Sequence, residues 1–128
     1  MRVLLDTCAF LWLALEPKRL SPVAVNLIND TANELLLSDV SVWEMTLKHT
    51  AGKLPLPGVP RSWIPSRRAF FGLNPVAITE AHILRTADLP LVHPDPFDRL
   101  LAAQALETGL TVLSPDTSLS ILGAARMW

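Results

Sequence analysis

The short runs Arg2–Leu5, Leu35–Ser38 and Leu110–Leu113 carry apolar side chains at consecutive positions, not at every second one. A strand with one wet face alternates apolar and polar residues, whereas an unbroken apolar strand is covered on both faces. Val76-Ala77-Ile78 is a fourth run of this kind, and Ala125–Trp128 ends the chain as a strand-like segment. Each of the first four runs is followed by a segment with helix-start signals. That alternation predicts an α/β fold, a three-layer α/β/α arrangement with a largely parallel central sheet.

The intervening segments supply the helices. One runs through Phe10, Leu11, Leu13 and Ala14 and is closed by Pro17; Ser21-Pro22 starts the next, with Val23, Leu27 and Ile28 as its apolar stripe. Asp39 opens a helix that runs to a Gly52 stop. Lys53–Gly72, rich in proline and arginine, reads as loop plus a short helix around Arg61–Phe71. Thr79 caps a helix over Glu80–Ala87, and a short helix follows the Leu110–Leu113 strand. With 128 residues and no repeat, linker or low-complexity segment, the chain is expected to form one domain over residues 1–128.

Hydrophobic residues make up 50% of the sequence, and mean hydropathy is +0.34. The longest apolar run, Cys8–Leu15, is far short of the roughly 20 residues of a membrane span. Asp6 also interrupts any signal-peptide core behind Met1-Arg2. The apolar surplus therefore points to a buried sheet plus a protein–protein interface, with no membrane partner. A single cysteine excludes an internal disulfide and fits a reducing, cytoplasmic setting. The net charge of -1 is no signature of a nucleic-acid binder, yet local fields outweigh the sum.

The stretch His93-Pro94-Asp95-Pro96-Phe97-Asp98-Arg99 opens the helix that Gly109 stops. Proline is favoured at the first helical position, so Asp95 is the expected N-cap and Asp98 the third helical residue. Residues three, four and seven beyond Asp98 are Leu101, Ala102 and Ala105, so Asp98 lies on the face the helix buries. A charge there needs a partner. Asp6 sits just past the first strand, Asp116 just past the Leu110–Leu113 strand, and Glu44 in the opening turns of the helix after the second strand. In open parallel sheets the functional crevice lies outside the carboxyl ends of the strands, so all four acids are expected to meet in one place.

Four clustered carboxylates repel: two unit charges about 4 Å apart cost about 4 kcal/mol at an effective dielectric of 20. They shift to the protonated form unless a cation holds them. A site rich in carboxylate oxygen, with no cysteine and no convergent histidine expected, suits Mg²⁺ or Mn²⁺ rather than zinc. Such an ion activates water for in-line attack on phosphorus and stabilises the leaving oxygen. The chemistry expected is metal-assisted phosphodiester hydrolysis. With four acids neutralised, 8 of the 12 acidic residues remain against 11 basic ones, a mildly basic surface. Each acid has a plainer alternative. Asp6, Asp95 and Asp116 could cap helices or turns. Glu44 could pair with Lys48 one turn on, a contact worth only about 0.3–0.5 kcal/mol.

The chain resembles PIN-domain ribonucleases, specifically the VapC-type toxins of toxin–antitoxin pairs, over nearly its whole length. The residues that carry the resemblance are Leu4-Leu5-Asp6-Thr7, Ser41-Val42-Trp43-Glu44 with Lys48 and Gly52-Lys53-Leu54, His93 to Leu101 with Ala103-Gln104-Ala105, and Leu113-Ser114-Pro115-Asp116. The resemblance implies a PIN-like fold in which Asp6, Glu44, Asp98 and Asp116 bind Mg²⁺ or Mn²⁺ and cut RNA. It further implies a homodimer and a small antitoxin partner that covers the site. Thr7, Asp95, Arg99 and Ser114 are supporting candidates. Cys8 and Ser114 depart from the residues common in that family, and Cys8 reads as a small core residue rather than a reactive thiol.

Arg99 is expected to touch a phosphate or an antitoxin acid, or to form an ion pair. Arg61, Arg67 and Arg68 flank Trp63, Phe70 and Phe71, a mixture suited to RNA or, preferably, to a dimer or antitoxin surface. His49, His82 and His93 lack ligand spacing and read as structural. Trp12, Trp43 and Trp128 read as core or interface anchors. The rival readings fit less well. A haloacid-dehalogenase-like phosphatase needs a second Asp where Cys8 stands, and a receiver domain needs paired acids after the first strand and a lysine after the last. A catalytically silent module that binds antitoxin or RNA keeps the fold but leaves the acidic quartet unexplained.

Overall fold

A computed structural model describes residues 1–128. Its five strands, β1 (Arg2–Leu5), β2 (Glu34–Ser38), β3 (Asn74–Val76), β4 (Thr111–Leu113) and β5 (Arg126–Met127), form one sheet in the order β3-β2-β1-β4-β5. Every neighbouring pair is parallel. The helices are α1 (Thr7–Leu15), α2 (Pro22–Asn29), α3 (Asp39–Thr50), α4 (Pro60–Phe70), α5 (Glu80–Arg85), α6 (Pro96–Thr108) and α7 (Ser118–Ile121). No helix is long and apolar enough to cross a membrane.

The unbroken apolar strands do what their pattern predicts. Leu4, Leu36 and Val112 share one face of the sheet and pack with Val40 of α3, Leu101, Ala102, Ala103 and Ala105 of α6, and Leu119 of α7. Val3, Leu5, Leu35, Leu37 and Leu113 point to the opposite face, where they meet Ala9 and Phe10 of α1, Ala24 of α2, Met45 of α3 and Ile64 of α4. Successive residues of a strand alternate sides, so covering both sides buries the whole strand. β1 is the central strand, and Val3, Leu4 and Leu5 are all fully buried.

Two boundaries differ from the sequence reading by more than one residue. The third strand is Asn74–Val76, not Val76–Ile78. It pairs Leu36↔Asn74, Leu37↔Pro75 and Ser38↔Val76, and pairing ends there because Ser38 turns into the N-cap of α3. Pro75 is tolerated because β3 is an edge strand. Beyond it, the Ala77 carbonyl accepts a hydrogen bond from Gln104 Nε2 instead of a strand. The helix expected over Glu80–Ala87 ends at Arg85 and tightens into a 3₁₀ turn over Thr86–Asp88. There Thr86 Oγ1 donates to the Ile83 carbonyl at 2.6 Å. The helix in the proline- and arginine-rich segment forms as α4, with Pro65 inside it.

α6 approaches the sheet closely because its buried face carries alanines: Ala102 and Ala103 are 0% exposed and Ala105 is 1% exposed. A larger side chain there must push the helix off the strands, at a typical cost of about 1–3 kcal/mol. Ala103→Leu is expected to lower the unfolding free energy by that amount, seen as a lower urea midpoint at an unchanged slope, read by circular dichroism; an unchanged midpoint would contradict this packing.

Candidate active site

In a parallel sheet all strands end on the same side, and here the ends of β1 and β4 lie next to each other. The Asp6 amide donates to the Leu113 carbonyl, which carries the ladder one step past β1. Asp6 caps α1, its Oδ1 accepting from the Ala9 amide at 2.7 Å. Its Oδ2 accepts from the Ser114 hydroxyl at 2.5 Å. Ser114 Oγ in turn accepts from the Asp116 amide, and Asp116 Oδ1 accepts from the Ser118 amide, each at 2.9 Å. The turn-capping role weighed for Asp116 is therefore real, and it aims the same carboxylate at the strand ends.

Glu44 reaches this place from α3, with 8% of its surface exposed. Thr7 Oγ1 donates to Glu44 Oε1 at 2.5 Å, and Lys48 Nζ lies 2.6 Å from Oε2. The pairing with Lys48, which on sequence grounds explains little, is thus built into the site. The shared hydrogen bond to Glu44 is the main reason the Lys48 amine lies above its ordinary range. Asp95 N-caps α6 as expected, accepting from the Phe97 and Asp98 amides at 2.8 and 3.2 Å.

Asp98 corrects one expectation directly. Its carboxylate has a basic side-chain partner, His93, whose Nε2 stands 2.8 Å from Oδ2. The expected histidine-free site therefore contains a convergent imidazole. His93 was legible only as part of a helix-start motif. The turn through Pro94 and the Asp95 cap folds the chain back over the first turn of α6, and no periodicity reports that. Arg99 is the second correction. It touches neither an acid nor open solvent alone. Its NH1 donates to the carbonyls of Pro90 at 2.6 Å and His93 at 3.2 Å, and its NH2 to those of Thr86 at 2.9 Å and Leu89 at 3.5 Å. The guanidinium fastens the whole Thr86–His93 loop to α6.

Asp6, Glu44, Asp95, Asp98 and Asp116 line one cleft of about 570 Å³ together with Thr7, Cys8, Lys48 and Lys53. Cys8 is on this wall and partly exposed, not in the core. Burial, followed by the Asp6 charge, pushes its thiol up to about 11, so it is not a reactive thiolate. Burial pushes the Asp6 carboxyl up to about 6; the Ser114 and Ala9 hydrogen bonds oppose this, and the charges of Asp98 and Asp116 add to it. Burial also raises Asp98 against the opposing His93 bond. His93 is raised chiefly by its hydrogen bond to Asp98.

A cation would relieve this crowding, and the donors suit one. Ligand atoms of His93, Asp98 and Asp116 all lie within 4.8 Å of one another. Asp6 and Glu44 each have both oxygens hydrogen-bonded, which still leaves lone pairs free, since an ionised carboxylate has about four acceptor positions. Ser41, also on the cleft wall, has a buried hydroxyl without a protein partner. The arrangement fits a divalent ion with part of its water shell. Elsewhere, Trp12 packs on Trp128 at 5.6 Å, while Trp43 is 49% exposed with its ring against Phe97. Trp63 packs on Phe10, and Phe70 projects outward under Arg67.

The sequence pattern of the PIN domain matches residues 3–124. Two Mycobacterium tuberculosis proteins are similar in sequence. Ribonuclease VapC16 is 37% identical over 68 residues, 50% of this chain and 48% of that protein. Ribonuclease VapC22 is 31% identical over 118 residues, 91% of this chain and 88% of that protein. Among solved structures, VapBC2 from Rickettsia felis, bound to a DNA fragment from its promoter, superposes with a TM-score of 0.71 at 12% identity. That match covers 99% of this chain and 98% of that one. DNA-bound VapBC from Salmonella typhimurium gives 0.66 at 18% identity, covering 99% and 97%. Since the pattern covers residues 3–124 and the VapC22 match covers 91% of this chain at 31% identity, the chain belongs to the PIN domain family.

Proposed function

We propose that this chain, as one domain over residues 1–128, is a divalent-metal-dependent endoribonuclease that serves as the toxin of a toxin–antitoxin pair. The observation that carries the reading is the convergence of Asp6, Glu44, Asp98 and Asp116 in one cleft at the carboxyl edge of the sheet. The names of the two sequence relatives, both ribonucleases, support the activity. The VapBC complexes among the structural relatives support a small antitoxin partner. A cytoplasmic homodimer completes the proposal.

In this reading Asp6, Asp98 and Asp116 would hold Mg²⁺ or Mn²⁺. Such an ion supplies Lewis-acid polarisation of the phosphodiester and a water acidic enough to attack it. Thr7 and Lys48 fix both oxygens of Glu44, so it completes the acidic wall in one orientation. Ser114 orients Asp6 and, through the Asp116 amide, sets the distance between these two acids. Lys48 and Lys53, on the same wall, attract the phosphate backbone of an RNA strand.

Asp6→Asn is expected to reduce RNA cleavage by about 100-fold or more while leaving the far-ultraviolet circular dichroism unchanged. Retained cleavage, with contaminating nuclease excluded, would reject the assignment and favour a silent binding module. The same substitution reports on electrostatics without metal. The folded chain holds the Asp6 proton more tightly than the unfolded one, so ionising Asp6 removes stability as pH rises from 3.8 through about 6. In chelator, the stability of Asp6→Asn relative to wild type is therefore expected to increase across that window, measured by urea unfolding. A saturating divalent ion should reverse the trend, because it stabilises the ionised carboxylate.

A further inference from the structure

Resting on that reading of the cleft, we propose that His93 is a direct nitrogen donor to the bound metal, held in place by Arg99, and that it makes the site take Mn²⁺ in preference to Mg²⁺. The imidazole is not one of the acids the fold brings to the sheet edge. It arrives from the loop in front of α6, and its Nε2 stands 2.8 Å from Asp98 Oδ2. The ligand atoms of His93, Asp98 and Asp116 all fall within 4.8 Å. An octahedral ion with bonds of about 2.1 Å places adjacent donors about 3 Å apart and opposite donors about 4 Å apart. The 2.8 Å between His93 and Asp98 is close to an adjacent pair, and the 4.8 Å bound on all three atoms is wider than an opposite pair by about half an ångström, which the partly exposed side chains would close on binding.

The placement is built, not incidental. Arg99, the neighbour of Asp98 on α6, binds the carbonyl of His93 itself and those of Pro90, Leu89 and Thr86. One guanidinium thereby fixes the backbone that carries the imidazole relative to the helix that carries the carboxylate. Only the two side-chain torsions of His93 remain to be set; in the metal-free chain the Nε2 contact with Asp98 sets them, and Nε2 would give up any proton to solvent as it takes the ion.

The chemical consequence is discrimination. Mg²⁺ is hard, demands oxygen and gives up its waters reluctantly. Mn²⁺ accepts carboxylate oxygen equally well and binds imidazole better, as the first member of the transition-metal affinity series. An acids-only centre serves both ions; adding one imidazole tilts it to Mn²⁺. A competing role makes His93 a counter-group that occupies Asp98 and leaves when an ion binds. That role predicts the opposite effect of removing the side chain, since both ions would then bind more tightly.

Two measurements on the full-length protein without RNA separate these. In electron spin-echo spectroscopy of the Mn²⁺-loaded protein, wild type should show coupling to a ligand nitrogen, and His93→Ala should lose it. In calorimetric titrations with Mn²⁺ and Mg²⁺, His93→Ala should weaken Mn²⁺ by about 10-fold or more and Mg²⁺ by about 2-fold or less. Arg99→Lys should reduce the nitrogen coupling while His93 is still present. Absence of nitrogen coupling in wild type, an unchanged Mn²⁺/Mg²⁺ ratio in His93→Ala, or tighter binding of both ions would overturn the proposal while leaving the nuclease reading standing. Failure of wild type to bind either ion would instead remove the metal-dependent reading itself. The wild-type spectrum decides the question even if a variant fails to fold.

Discussion

The lateral contact between the ends of β1 and β4 controls the site, because it places Asp6 and Ser114 within one hydrogen bond of each other. Both strands are apolar and covered on both faces, so their register cannot slip without driving buried leucines across the sheet. Ser114 is 0% exposed and donates to Asp6 while accepting from the Asp116 amide. Two acids 110 residues apart in sequence numbering are thus joined through one hydroxyl. Burial opposes the ionised form of Asp6, and only part of that opposition is offset by its two hydrogen bonds. The fold therefore brings a carboxylate to a place where it remains uncomfortable without a cation.

Much of this was legible in the residues. Val3-Leu4-Leu5 and Leu35-Leu36-Leu37 announce a sheet covered on both sides, since two-sided burial is a property of each strand alone. Asp6 follows β1 directly and Asp116 lies three residues beyond Leu113 of β4, so strand prediction locates them at the functional edge of the sheet. Asp95 announces itself as a cap because capping is local chemistry. The features that escaped depend on relations between segments. His93 meets Asp98 through a loop whose path is set by the Arg99 guanidinium, and a charged residue beside an acid gives no hint that it will bind carbonyls. The β3 register is set by where β2 turns into α3, not by the apolarity of Val76-Ala77-Ile78 itself.

These relations divide the cleft into two halves with different mechanics. Asp6 and Glu44 are 8% exposed and hydrogen-bonded on both oxygens by Ala9, Ser114, Thr7 and Lys48. Moving Asp6 would leave the buried Ser114 hydroxyl and Ala9 amide unpaired, a cost of about 1–3 kcal/mol for each such group, and moving Glu44 would break its hydrogen bonds to Thr7 and Lys48. That half is rigid. Asp98 and His93 are both about a quarter exposed at the side chain and are held by one contact with each other. That half adapts, within the limits the Arg99 clamp allows.

Such a division suits the proposed nuclease, which would have to hold an ion and still release a cleaved polymer. Donor atoms fixed entirely by the core would be pre-organised but unable to adjust as charge moves from the attacking to the leaving oxygen. Donors carried entirely on loops would lose the geometry between turnovers. Here the rigid acids define where positive charge is needed, and in the proposed metal-bound state the loop-borne imidazole and the first turn of α6 would complete the coordination. The helix contributes further through its N-terminus. Asp95 occupies the Phe97 and Asp98 amides, so the positive end of the α6 dipole is satisfied by a side chain that itself lines the cleft. Asp98 is thereby left free of capping duty, and its oxygens are available for the imidazole and, in the proposed state, for the metal.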